Sequence, residues 1–95
     1  MPFESLGIIE TSSVSGALKI VNEIKKVDGV IFIGKQFLGE GIVSVFIKGN
    51  LGAIKKAIDL GAQVLDNSNE YRSSHIIPMP HKDLLSKFNL ERENL

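Results

Sequence analysis

Two histidines, a scatter of carboxylates and one glutamate set between glycines are the residues of this 95-residue chain with chemical potential. His75 and His81 have Pro78 and Pro80 between them, which is not zinc-ligand spacing, and no cysteine is present to complete a site. Both read as ordinary core or surface histidines. Glu10, Glu23, Glu40 and Asp59 could each act as a general base. None has a nucleophile or second acid at a telling spacing, so solvated charge is the simpler reading. Gly39-Glu40-Gly41 is a lone G-x-G without a third glycine or a following helix, so it is no dinucleotide fingerprint. P-loop, G-x-S-x-G and H-E-x-x-H patterns are absent from the sequence. Lys48, just before Gly49-Asn50, could meet an anion at a helix N-terminus. No catalytic residue, metal site or cofactor site emerges from this reading.

The elements that must position these residues follow from periodicity. Residues 5–11 are short, β-branched and end in polar residues, which predicts a strand. Thr11-Ser12-Ser13 supplies helix N-cap candidates, and Val14, Ala17, Leu18, Val21 and Ile24 then recur on one helical face. Asp28-Gly29 ends that helix, since glycine readily takes the left-handed C-terminal conformation. Residues 30–37 and 42–48 predict two strands, and the glycines around Glu40 make them a hairpin. Asn50 caps a second helix with the stripe Leu51, Ile54, Ile58, Ala62 and Leu65, ended by Asn67-Ser68-Asn69. A last strand over 71–77 is expected to stop at Pro78, because proline cannot donate to a sheet ladder. Residues 81–88 predict a short helix, and 89–95 a polar tail. The order βαββαβ predicts an α+β, ferredoxin-like antiparallel sheet with helices on one face and a short C-terminal helix. Gly16 and Gly52, each opening a helix, are expected to let helix backbone approach the sheet.

Composition bounds the rest. At 95 residues there is room for one domain, placed at 1–88. Hydrophobic residues are 43% and charged residues 23%, an ordinary folded composition. The apolar content lies on both sides of short strands, more than one small core needs, which predicts burial by other subunits. The charges balance to zero, which argues against nucleic acid or an anionic membrane as the main partner. Without cysteine, a signal-like start or a long apolar run, a cytoplasmic setting is expected.

Four segments, in order, resemble the shell proteins of bacterial microcompartments. Leu6-Gly7-Ile8-Ile9-Glu10-Thr11 is similar to their L-G-x-I/V-E-T opening. Ile33-Gly34 with Leu38-Gly39-Glu40-Gly41-Ile42-Val43 is similar to their strand, pore loop and strand. The stretch from Gly49 to Ala57 resembles G-D-V-G-A-V-K-A-A, and Ser73 to His81 resembles S-S-H-V-I-P-R-P-H. The likeness runs from Leu6 to about Leu85 and suits the single-domain, hexamer-forming type.

The resemblance implies a structural, non-enzymatic protein whose cyclic hexamers tile into facets around a central metabolite pore. It implies Leu38, Gly39, Glu40 and Gly41 at the pore, and Lys26, Gly29, Met79 and His81 at the hexamer edge. The implied partners are further copies, other shell proteins and the targeting peptides of cargo enzymes. Three positions depart from the family pattern. Met79 stands where arginine is usual, Gly29 where asparagine is common, and Glu40 where a small residue is usual. The first two predict weak self-tiling, because a donor fork is replaced by an apolar side chain. The third predicts a negative pore that disfavours anions. From the residues alone, two other readings stand beside this one: a small-molecule-sensing ferredoxin-like regulatory module, and a small enzyme on the same fold.

Overall fold

Ser13 and Asn50 set where the two helices begin. In the computed structural model, which describes residues 4–66 and 68–79, each takes extended backbone at the N-cap. The Ser13 hydroxyl accepts from the Gly16 N–H, and Asn50 Oδ1 accepts from the Ala53 N–H, both at 2.9 Å. The elements are β1 (Glu4–Thr11), α1 (Val14–Ile24), β2 (Ile31–Gly39), β3 (Ile42–Gly49), α2 (Leu51–Val64) and β4 (Tyr71–Met79). The strands form one antiparallel sheet in the order β2-β3-β1-β4, which is the ferredoxin-like arrangement expected.

Alternation along the two central strands assigns the faces. Ile9 of β1 and Val43, Val45 and Ile47 of β3 point to the helices and bury against Ala17, Ile20, Val21, Ile24, Ile54, Ala57 and Leu65. Leu6 and Phe46 point the other way and form a second cluster with Ile33, flanked by Ile8 and Ile77. Both faces of the sheet are therefore apolar, as the composition implied. Gly7 makes one contact possible on the helix side. A Cβ there would lie 2.9 Å from both Ile47 and Ile54, so its absence lets strand and helix close.

The β2–β3 hairpin closes on the pair Gly39↔Ile42 and leaves Glu40 and Gly41 as a two-residue turn. Their φ angles, +54° and +81°, are those of a type I′ turn, whose twist suits antiparallel strands. Edge strand β2 carries register shifts between Phe32 and Gly34 and between Phe37 and Gly39. Such bulges twist an edge and make it a poor template for uncontrolled pairing.

Several expectations need correction. In α1 the buried face is Gly16, Ala17, Ile20, Val21 and Ile24, while Val14 and Leu18 are exposed. In α2, Ala57 and Gly61 are buried and Leu51 is exposed. Ala17, Val21 and Ile24 of the first stripe and Ile54 and Leu65 of the second are buried as expected; the members at the edge of each face differ, because spacing alone does not say which border residues the sheet covers. β4 does not stop before Pro78, which pairs with Ser5. β4 is an edge strand, where a missing N–H leaves no neighbour unbonded. β2 runs two residues past the expected end, to Gly39. The short helix at 81–88 and the tail at 89–95 lie outside the described residues.

The two helix-opening glycines also differ. A Cβ on Gly16 would collide with Thr11 Oγ1, whereas a Cβ on Gly52 meets only Asn50 Oδ1 at 3.5 Å. We expect Gly16→Ala to destabilise the protein by about 2 kcal/mol through overpacking. Gly52→Ala should stabilise it by about 0.5 kcal/mol through reduced backbone entropy; paired thermal melts check both signs. Glu40 pays the steric penalty of left-handed backbone, which Asn tolerates better. Glu40→Asn should raise stability by about 1 kcal/mol, and an unchanged or lower melting temperature would contradict the turn assignment.

Candidate functional site

The residues singled out by resemblance fall at two opposite ends of the sheet. At one end is the β2–β3 turn. Glu40 is exposed there and, among the described residues, has no ion-pair partner. Leu38 and Phe37 beside it are 48% and 45% exposed. Around Gly39 the space is open, while Gly41 faces the Ser12 carbonyl oxygen, 3.4 Å from an ideal Cβ. The turn is thus a solvent-facing carboxylate on an apolar shoulder, near the start of α1.

At the other end are Gly29, the first residues of β1 and the last residues of β3 and β4. Gly29 has φ +84°, and its carbonyl oxygen packs so closely on Gly49 that no side chain fits there. Ser5 pairs with both Gly49 and Pro78, and Glu4 pairs with Met79, so the sequence-distant Gly29 and Met79 share this end. Left-handed backbone at residue 29 suits glycine, and among side-chain-bearing residues asparagine tolerates it best. β3 connects the two ends; its seven steps at roughly 3.4 Å each span about 24 Å. α1 bridges them too, with Ser12 at the turn end and the Lys26–Gly29 segment beyond its C-terminus.

Lys26 is exposed, and its Nζ lies 3.0 Å from Glu23 Oε2. An exposed pair of this kind contributes about 0.5 kcal/mol, so the lysine is easily redirected to another acceptor. His81 lies outside the described residues, and of Met79 only the backbone is described. Lys48 does not serve the α2 N-terminus. It shares the helix-free face with Leu6 and lies 3.8 Å from Glu4 Oε1. His75 is exposed on that same face, opposite Ile8. Among the described residues no three His, Cys, Asp or Glu side chains gather as a metal site, and no helix is long and apolar enough to cross a membrane.

One cluster escaped the sequence reading. Glu70, in the turn before β4, accepts a hydrogen bond from the Ser13 hydroxyl through Oε2 at 2.9 Å, and Lys19 Nζ lies 3.9 Å from its Oε1. The partners are 57 residues apart, and no local pattern signals them.

Comparison with known proteins shows the family and the fold. The family model described as the BMC domain matches residues 5–80. The bacterial microcompartment shell protein PduA of Citrobacter freundii is 36% identical over 84 residues, covering 88% of this chain and 90% of that protein. The bacterial microcompartment shell protein EutM of Escherichia coli is 33% identical over 85 residues, covering 90% of this chain and 88% of its own length. A crystal structure of a microcompartment protein from Desulfitobacterium hafniense superposes with a TM-score of 0.77 at 20% identity. That match covers 88% of this chain but 46% of the longer one, and it shows the shared fold. On the family match and the two shell-protein relatives, this chain belongs to the BMC-domain family.

Proposed function

We propose that this protein is a structural subunit of a bacterial microcompartment shell, closing into a cyclic hexamer that tiles into facets around a central pore. One observation carries the reading. Leu38, Gly39, Glu40 and Gly41 sit at one end of the sheet, and Gly29 and Met79 at the other. A ring with its turns inward then directs the second set outward, toward neighbouring rings. Exposed Val14, Leu18, Ile31, Phe37, Leu38 and Leu51 supply apolar surface for contacts between copies. A closed ring satisfies every copy equally. The names of PduA and EutM as shell proteins favour this structural role over a regulatory module or an enzyme.

In that setting the protein resides in the shell inside the bacterial cell, beside other shell proteins and the targeting peptides of cargo enzymes. Lys26, Gly29, Met79 and His81 form the lateral edge. The arginine-to-methionine departure at 79 leaves Lys26 as the main edge cation, so contacts to like hexamers are weak. At the pore, six copies of Glu40 surround one axis. Neighbours roughly 8 Å apart repel by about 0.5 kcal/mol per pair in a water-like medium and about 2 at an intermediate dielectric. A ring of one sign selects against anions.

Light scattering on the purified protein tests the ring: we expect a single species of about six times the 10.4 kDa chain mass. A stable monomer at micromolar concentration contradicts it, and a dimer or trimer that shifts with an added metabolite favours the regulatory reading. For the pore, Glu40→Gln should leave the oligomer intact and speed entry of anionic metabolites into reconstituted shells by roughly tenfold, equivalent to about 1.4 kcal/mol. Equal anion entry in the two forms would place Glu40 away from the path.

A further inference from the structure

Glu70 belongs to the turn between α2 and β4, yet its side chain serves a different part of the molecule. Oε2 accepts from the Ser13 hydroxyl at 2.9 Å, and the same Ser13 oxygen accepts from the Gly16 N–H at 2.9 Å. The backbones are joined as well. Ser12 N–H donates to the Glu70 carbonyl oxygen at 2.9 Å, and Ser13 N–H reaches Thr11 Oγ1 at 3.4 Å. The first turn of α1 contains no acidic residue. Glu70 therefore brings from a distant segment the negative charge that a helix N-terminus favours.

Capping alone does not account for this arrangement. Ser13 already satisfies the helix end, and Glu70 Oε1 is left buried without a hydrogen-bond partner, an unfavourable state for a carboxylate oxygen. Lys19 Nζ, at 3.9 Å, is near enough to offset its charge but not to bond. The same corner touches one further element, the β2–β3 turn. Thr11↔Val43 and Gly39↔Ile42 are the last ladder pairs before it. Beyond them the Ser12 carbonyl oxygen lies 3.4 Å from where a Cβ on Gly41 would stand, while nothing lies within 4 Å of an ideal Cβ on Gly39. Ser12 is thus the neighbour that the turn faces across its Gly41 side.

We propose that Glu70 is a positioning residue for the β2–β3 turn: by holding Ser13 it steadies Ser12, whose carbonyl oxygen faces Gly41. The side chain works as a brace from the α2–β4 connection through the start of α1 to the turn. Its bearing on permeation rests on the pore reading above; the brace itself does not.

Hydrogen exchange followed by mass spectrometry on the assembled protein tests the brace, comparing wild type with Glu70→Ala, Glu70→Gln and Ser13→Ala. In Glu70→Ala and Ser13→Ala, amides of residues 39–42 should exchange about tenfold faster, while those of Ile9, Val45 and Ile47 keep wild-type protection. Glu70→Gln retains an acceptor for the Ser13 hydroxyl and should restore most of the turn's protection. Unchanged exchange at 39–42 in Glu70→Ala overturns the proposal. So does equal acceleration of turn and core, which marks a general loss of stability, and so does failure of the Gln variant to rescue. Should Glu70→Ala not fold, Ser13→Ala against Glu70→Gln gives the same comparison. A second measurement separates the brace from the pore. Loosened turn amides with altered solute entry into reconstituted shells support both, and loosened amides with unaltered entry uphold the brace and remove the turn from the permeation path.

Discussion

No side chain fits between Gly16 and Thr11, and much of this structure follows from that contact. A Cβ at Gly16 would strike the Thr11 hydroxyl, with Ser13 Oγ and Glu70 Oε1 close behind at 3.1 and 3.2 Å. The first turn of α1 is thereby pressed onto the end of β1, where Thr11 is fully buried. On the same face of α1, Ile20 and Ile24 enter the core with Ile9 of β1 and Val43, Val45 and Ile47 of β3. Gly61 does the same for α2. Its missing side chain admits Ile9 and Ile20, which would lie 3.2 and 3.8 Å from a Cβ there. Small residues thus set the distance between layers, and large aliphatic ones fill what remains.

A two-helix layer leaves part of a four-stranded sheet uncovered. Val14 and Leu18 lie on the side of α1 opposite Gly16 and Ile20, and Phe37 and Leu38 lie on edge strand β2. Scattered apolar exposure is ordinary on a small protein. Here it comprises six large side chains on α1, α2 and β2, in a chain whose zero net charge does little to hold copies apart. The same surface that limits the stability of a 95-residue monomer is what a ring of copies can bury.

Glu40 concentrates the trade between fold and function. A type I′ turn asks for Asn or Gly at its first central position, and a glutamate there carries steric cost without a compensating contact among the described residues. The turn closes the β2–β3 ladder at Gly39↔Ile42 regardless. A locally unfavourable residue at an exposed, braced position is the pattern expected where side-chain chemistry outweighs turn preference.

How much of this was legible in the residues differs from element to element. Caps, β-branched runs and the glycines of the hairpin act within a few residues of one another, so the sequence alone determined six elements in order and hence the ferredoxin-like sheet. Linear likeness in four short segments was enough to mark the family and to nominate Glu40, Lys26, Gly29 and Met79. What sequence could not supply was anything that depends on where a second element lies. Whether Leu18 or Ile20 faced the core turned on the contact at Gly16, and whether Pro78 ended a strand turned on β4 being an edge. That Gly29 and Met79 share one end while Glu40 stands at the other follows from strand register. The bond from Glu70 to Ser13 joins residues 57 positions apart, and only folding brings them within 3 Å. Periodicity is a property of one element at a time; packing and register are properties of pairs, and those only the tertiary structure decided.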